Sequence, residues 1–281
     1  MPEKLRKSVV VAPDQTTICF VGDLVGSAGR RTLLSLMPAI RERFEPTFFV
    51  VNAENVAGGL GITPKIAGEL FAAGVDVITL GNHSYRRAEI LPYLDTHEAI
   101  LRPANYLRSQ PGHGSCIVEK DGVKLGVINL SGNLFLDAAQ PAFQEADMAV
   151  EELTKAGADQ ILVDMHGEAT SEKVALGWYL DGRVSAVVGT HTHVPTADAR
   201  VLPGGTAYIT DVGMTGARDG VIGVKREQAI GSLVSRMRTP FEPSEDDPWL
   251  NGVVIRCQAV RTATAIEQLL IPAGGDEAGD Q

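Results

Sequence analysis

The chain has 281 residues, 44% of them hydrophobic and 21% charged, and a formal net charge of −10. That balance fits a globular α/β protein with a sizeable core and excludes a disordered chain. No apolar run approaches the ~20 residues of a membrane span, and strong general nucleic-acid binding is not expected of an acidic surface.

Residues 1–15 read as an N-terminal extension. Its valine run, Val9 to Val11, is too short for a signal sequence, so a cytoplasmic location is expected. The three cysteines, Cys19, Cys116 and Cys257, are widely spaced and odd in number, which fits free thiols rather than disulfides or a CxxC metal site. Residues 16–21 are β-branched and apolar and form a first buried strand, ending at Gly22-Asp23. Leu33, Met37, Ile40 and Phe44 recur at helical spacing, with Pro38 predicting a kink or an early break. Residues 47–52 form a second strand that runs into Ala53-Glu54-Asn55. After the loop Gly58-Gly59-Leu60-Gly61, Thr63-Pro64 starts a helix with Ile66, Leu70 and Phe71 on its apolar side, and Gly74 ends it.

A third strand, residues 75–80, leads into Gly81-Asn82-His83, and a helix is expected over 86–94. Residues 116–119 and 123–129 form a hairpin across Lys120-Asp121-Gly122. Phe143, Ala146, Val150 and Leu153 mark a helix stopped at Gly157. Residues 161–164 form a short strand ending in Met165-His166-Gly167-Glu168. Thr170-Ser171-Glu172 starts a helix with Val174 and Trp178 facing inward, and the apolar run 184–188 delivers Gly189-Thr190-His191-Thr192-His193. A turn at Pro203-Gly204-Gly205, a strand over 207–210, a helix over 228–237 and closing strands over 249–260 and 265–271 complete the chain. Alternating strands and helices indicate one α/β domain over 16–272, the hairpins indicate mixed strand directions, and residues 273–281 are expected to be a disordered acidic tail.

Five strand ends carry the chemistry: Asp23; Asn52 with Glu54 and Asn55; Asn82 with His83; His166; and His191 with His193. Ligands of α/β sheets bind beyond the carboxyl ends of the strands, so these groups are expected at one edge. Carboxylates, imidazoles and amides without a thiolate suit manganese, iron or zinc. So many donors exceed one tetrahedral ion and suggest two metals sharing a carboxylate, a device that generates hydroxide and stabilises displacement at phosphorus. The glycines offer no competing site. Gly22, Gly26 and Gly29 are not spaced as GxGxxG, and the 58–61 loop lacks the Lys-Ser/Thr of a phosphate-binding loop.

Taken in order, Gly22-Asp23, Asn52-Ala53-Glu54-Asn55, Gly81-Asn82-His83, His166-Gly167-Glu168 and Gly189 to His193 resemble the calcineurin-like metallophosphoesterase superfamily. The continuations 193–198 and 203–214 resemble, more narrowly, the bacterial YmdB-like 2′,3′-cyclic-nucleotide 2′-phosphodiesterases. The resemblance covers about residues 16–271. It implies a layered fold with central mixed sheets flanked by helices, and two divalent or mixed-valence ions, Fe or Mn with Zn possible. By matching position it implies Asp23, Glu54, Asn55 and His193 at one metal and Asn82, His166 and His191 at the other, with Glu54 bridging. His83 would be the catalytic group facing the substrate. Glu168 is an orienting partner of a ligand imidazole, a substrate-binding group or a solvated carboxylate, and Asn55 alone could be read as a turn cap.

The implied reaction is attack of a metal-bridging hydroxide on a small cyclic nucleotide, 2′,3′-cAMP giving 3′-AMP. Alternatives are a phosphatase or nuclease using the same metals, or a regulatory metalloprotein with incidental turnover. A homo-oligomer is compatible with the sequence. Asp23-Leu24-Val25 replaces the superfamily's Asp-x-His and Glu54 its bridging Asp, both as in the narrower family. In an extended segment His191 and His193 would point to opposite sides, one to each metal.

Overall fold

The computed structural model describes residues 15–274; of the expected extension and acidic tail, residues 1–14 and 275–281 lie outside it. The first half runs β1 (Thr16–Val21), α1 (Gly26–Phe44), β2 (Phe48–Asn52), α2 (Pro64–Ala72), β3 (Val77–Thr79), α3 (Leu91–Thr96) and β4 (Ile100–Leu101). The second continues with β5 (Ser115–Lys120), β6 (Val123–Ser131), α4 (Ala142–Lys155), β7 (Gln160–His166), α5 (Thr170–Tyr179), β8 (Ala186–Thr190), β9 (Arg200–Val201) and β10 (Ala207–Ile209). It closes with β11 (Gly216–Ala217), α6 (Arg226–Ser235), β12 (Pro248–Ala259) and β13 (Thr262–Pro272).

Two mixed sheets result. One has the order β11-β12-β1-β2-β3-β4, with β13 paired to β12, and the other β5-β6-β7-β8-β10-β9. Strands β1 to β4 are parallel to one another, as are β6, β7, β8 and β10. Each parallel run needs a crossover, and the crossover helices cover the outer faces.

The alternation of side chains along each strand explains why whole strands read as apolar. On β1, Ile18 and Phe20 join Val127, Leu162 and Val188 of the second sheet in a core between the two sheets. Cys19 and Val21 point the other way, against Leu33, Met37 and Ile40 of α1 and Leu70 of α2. The second sheet repeats the plan, with Ile161, Val163 and Met165 packed under Val150 and Leu153 of α4 and Leu176 of α5. The layers are therefore helix, sheet, sheet, helix, the flanked mixed sheets that the sequence resemblance implied.

Local signals behave as their chemistry requires in most places. Thr63 caps α2 by accepting from the Ile66 N–H, and Pro64 occupies the first turn. Asp121 and Gly122, at φ 52° and 79°, make the two-residue turn joining β5 and β6.

Three expectations are corrected. Of the kink or early break expected at Pro38, the break does not occur, and helix α1 runs through it to Phe44; Pro38 is exposed, so water can serve the carbonyl that it leaves without a helical partner. The helix expected over 86–94 is instead a 3-10 turn, Ala88–Ile90, followed by α3. Arg87 is diverted to the Ala57 and Leu60 carbonyls, and Pro92 suits the first turn of a helix beginning later. Trp178 is 49% exposed rather than inward; α5 buries Glu172, Lys173, Leu176 and Gly177. The inner face carries charge because Lys173 has a buried partner, described below.

Candidate metal centre

The donors come from two sheets, not from one sheet edge. Asp23 follows β1, Glu54 and Asn55 follow β2, and Asn82 and His83 follow β3, all in the first sheet; His166 ends β7, and His191 and His193 follow β8 in the second. They converge where the carboxyl ends of both parallel runs meet. The His166 Nε2 lies 3.0 Å from Asn82 Oδ1, 3.3 Å from Glu54 Oε2 and 3.1 Å from His191 Nδ1. Ligand atoms of Glu54, His166 and His191 all fall within 4.8 Å of one another.

The other oxygen of Glu54 faces a second group of donors. Glu54 Oε1 accepts from Asn55 Nδ2 at 2.9 Å, and the same amide lies 3.1 Å from His193 Nε2. His83 Nδ1 is 2.7 Å from Asn55 Oδ1 and 3.3 Å from Glu54 Oε1, while its backbone N–H donates to Glu54 Oε2. Asp23 accepts the His191 N–H at 3.2 Å and places its other oxygen 3.8 Å from His166 Nδ1. A Cβ at position 81 would collide with both His166 Nε2 and Glu54 Oε2, so only glycine lets these groups approach there.

Each ring is held by its far nitrogen. His166 Nδ1 lies 2.9 Å from Thr190 Oγ1, and the Thr190 hydroxyl donates to Asp164 Oδ1 at 2.7 Å. With its own hydrogen so committed, Thr190 accepts from Nδ1–H and turns Nε2 toward Glu54. Asp164 is fully buried and also accepts from Thr79 and Asn52. Burial pushes its carboxyl up to about 6, against the pull of His166 and these hydrogen bonds. His193 Nδ1 donates to the Ile222 carbonyl at 2.9 Å, freeing Nε2. His191 Nε2 lies 3.2 Å from the exposed Glu168, leaving Nδ1 toward the cluster. Sequence reasoning assigns no role to Asp164. The available signal is an acid inside an apolar strand two residues before His166, hence on the same face.

The segment carrying His191 and His193 is not extended, which overturns the premise used to separate them. Both residues have positive φ, 97° and 66°, a conformation costing ~1–3 kcal/mol each for residues other than glycine. The bend is fixed from below. Asp211 accepts from the Thr192 N–H and hydroxyl, and Lys173 donates to both Asp211 and the Thr190 carbonyl at 2.7 Å. Lys173 and Asp211 are each 1% exposed.

The electrostatics favour a cation. Asp23 Oδ1 is buried without a hydrogen-bond partner, and burial raises the Asp23 carboxyl despite His193 and His166. Burial also works against ionised Glu54, yet His166 and His83 outweigh it and hold that carboxyl well below its usual range. Among the described residues, the ion pairs of Asp23 and Glu54 are with imidazoles alone, not with lysine or arginine. Carboxylate, imidazole and amide donors around an orphaned buried oxygen fit divalent metal ions.

Without metal, a proton serves as the cation. Burial opposes it, but Glu54, Asp23 and Asp164 push His166 up to about 9, while burial and the charge on His166 drive His191 down to about 3. A histidine raised from 6.5 to about 9 contributes stability that is complete below pH 6.5 and lost as pH rises through 9. The shift corresponds to about 3 kcal/mol. Chelator-treated protein should therefore lose about that much unfolding free energy between pH 6.5 and 9, a range in which His191 is neutral when folded and at most half charged when unfolded. Added Mn2+ should flatten the loss, because coordination displaces the proton. Denaturant melts across the range, with and without metal, measure it; a flat profile for the metal-free protein would contradict this account.

The geometry of the centre and the sheets that build it have counterparts in known proteins. A family model described as YmdB-like protein matches residues 19–269. The chain is 46% identical over 255 residues to the 2′,3′-cyclic-nucleotide 2′-phosphodiesterase of Bacillus subtilis (strain 168), covering 90% of this chain and 96% of that one. Among solved structures, a hypothetical protein from Thermus thermophilus superposes with a TM-score of 0.86 at 37% identity, over 92% of this chain and 99% of that one. A novel phosphatase from Mycoplasma pneumoniae superposes with a TM-score of 0.84 at 34% identity, over 92% and 94%. The fold, the order of the strand-end motifs and the match along most of its length agree: the chain belongs to the YmdB-like protein family.

Proposed function

We propose that this chain is a metal-dependent phosphodiesterase that opens small cyclic nucleotides, converting 2′,3′-cAMP to 3′-AMP. The observation that carries the reading is Glu54. Its Oε2 faces His166 beside Asn82 and His191, and its Oε1 faces the Asn55 amide beside His193. One buried carboxylate thus faces two neighbouring donor groups, a placement that would let it be shared by two ions. Asn82, His166 and His191 would hold one ion, and Asp23, Asn55 and His193 the other, with iron or manganese favoured and zinc suitable. Two such ions, when bound, would supply an activated water and neutralise charge developing on the phosphoryl oxygens.

The chain's own side chains orient and protonate. A half-turn of the Asn55 amide leaves heavy-atom positions unchanged and exchanges donor for acceptor. With an ion bound, whose charge makes neighbouring acceptors tolerable, it would turn Oδ1 to the side of Glu54 Oε1 and His193 Nε2 and give His83 Nδ1 an N–H to accept. His83 Nε2 would then carry a hydrogen to donate to the departing O2′ as the P–O2′ bond breaks. Three buried free thiols suit a reducing compartment, in keeping with a cytoplasmic location. No helix among the described residues is long and apolar enough to cross a membrane.

The relative described as a phosphatase favours monoester hydrolysis as the second reading. Side-by-side hydrolysis of 2′,3′-cAMP, 3′,5′-cAMP, bis-p-nitrophenyl phosphate and p-nitrophenyl phosphate separates them. The expected result is preference for 2′,3′-cAMP with 3′-AMP as product; turnover of the monoester alone would replace this reading with the second.

A further inference from the structure

A cavity of about 380 Å³ opens directly beside His193 and is walled by Ile222, Met214, Arg218, Trp249 and Asn251. It lies within the ~300–1,000 Å³ typical of small-molecule pockets, and nothing in the roles assigned so far uses it. Resting on the phosphodiesterase reading above, we propose that it is the nucleobase subsite of the same active centre.

The walls carry what a base needs. The Arg218 guanidinium stacks over the Trp249 ring, 4.3 Å from its centroid, presenting a planar, polarisable surface of the kind on which bases stack. The indole N–H is already committed to Asp247, so Trp249 contributes its ring and no hydrogen bond. Asn251 supplies the polar group. Its side chain is more than nine-tenths buried and lines the cavity, yet its amide has no hydrogen-bond partner among the described residues. Its backbone is engaged, pairing in the β12–β13 ladder, exchanging with Thr215 and accepting from the Gly22 N–H. An amide can donate and accept at once, matching the edge of a purine or pyrimidine.

Position completes the argument. Ile222 both accepts from His193 Nδ1 and walls the cavity, so a base held there sits one imidazole away from the donor cluster. Ile222 and Val194 are exposed apolar side chains at its mouth; a bound base would cover apolar surface that is otherwise in water. Stacking rather than edge recognition dominates this wall, so the subsite should accept purines and pyrimidines with modest discrimination.

The test compares kcat/KM for 2′,3′-cAMP with that for ribose 2′,3′-cyclic phosphate, which lacks the base, in Trp249→Leu and Asn251→Ala. Loss of base stacking should lower the ratio of the two values by roughly 5- to 100-fold. Taking the ratio removes any general loss of folding or metal. A ratio unchanged in both variants would overturn the subsite. A second arm does not need turnover. The chain has 2 tryptophans, so Trp178→Phe leaves Trp249 as the sole indole; adenosine 3′-monophosphate should quench its fluorescence saturably, and ribose 3-phosphate should not. Quenching by the nucleotide without hydrolysis of either cyclic phosphate would keep the pocket and reject the phosphodiesterase reading. Hydrolysis without quenching would do the reverse.

Discussion

Replacing His191 with alanine should lower kcat/KM for 2′,3′-cAMP by roughly a thousandfold or more, about 4 kcal/mol of transition-state stabilisation, with little change in folding. The loss follows from its place in the tightest donor group, where its Nδ1 meets His166 Nε2 at 3.1 Å beside Glu54. Removing one donor from the proposed two-ion centre would remove activation of water and charge neutralisation together. The fold should survive because the side chain is 19% exposed and pairs outward with a solvated Glu168. His191→Gly sharpens the test. At φ 97° glycine is the residue without a steric penalty, so this variant should be at least as stable as the parent and equally inactive. Metal content by elemental analysis and rates with the substrate panel read both effects. Full activity in either variant would sink the assignment of His191 as a ligand.

The strands and the convergence of their ends are legible in the sequence, because both depend on local rules. Strands buried on both faces appear as unbroken apolar runs, and β1 matches the expected residues 16–21. What stays hidden depends on partners distant in the chain. The two-sheet origin of the donors cannot be read from strand order alone, since β7 and β8 pair with each other and not with β3. The bend at His191 and His193 reads as extended because nothing local marks it; no glycine or proline stands at either position, and its cause is Asp211 reaching Thr192. Apolarity alone places Trp178 inward, but α5 turns Lys173 and Glu172 inward, where Glu172 accepts from the Asn133 and Leu134 N–H groups. Apolar periodicity fails where a helix buries charge for a purpose.

That purpose gives the largest expected effect on stability. Lys173→Met should destabilise the metal-stripped protein by about 3–5 kcal/mol, the usual cost of leaving one member of a buried ion pair uncompensated. Asp211 would be left at 1% exposure without its ion-pair partner, and the Thr190 carbonyl would keep only the longer bond from the Gly167 N–H, 3.3 Å. The same substitution loosens the bend, because Asp211 is the acceptor that holds Thr192 between the two histidines. Metal affinity should fall with stability even though neither residue is proposed to touch an ion. Working with metal-stripped protein matters, since a bound ion would raise apparent stability in proportion to its affinity and mix the two effects. Adding Asp211→Asn should recover part of the loss by removing the stranded charge, a non-additivity that a general packing defect would not produce. Denaturant melts of the four proteins in this cycle give the coupling directly. A single-variant loss below about 1 kcal/mol, the range of an exposed pair, would mean that the clamp does not hold the histidine bend in place.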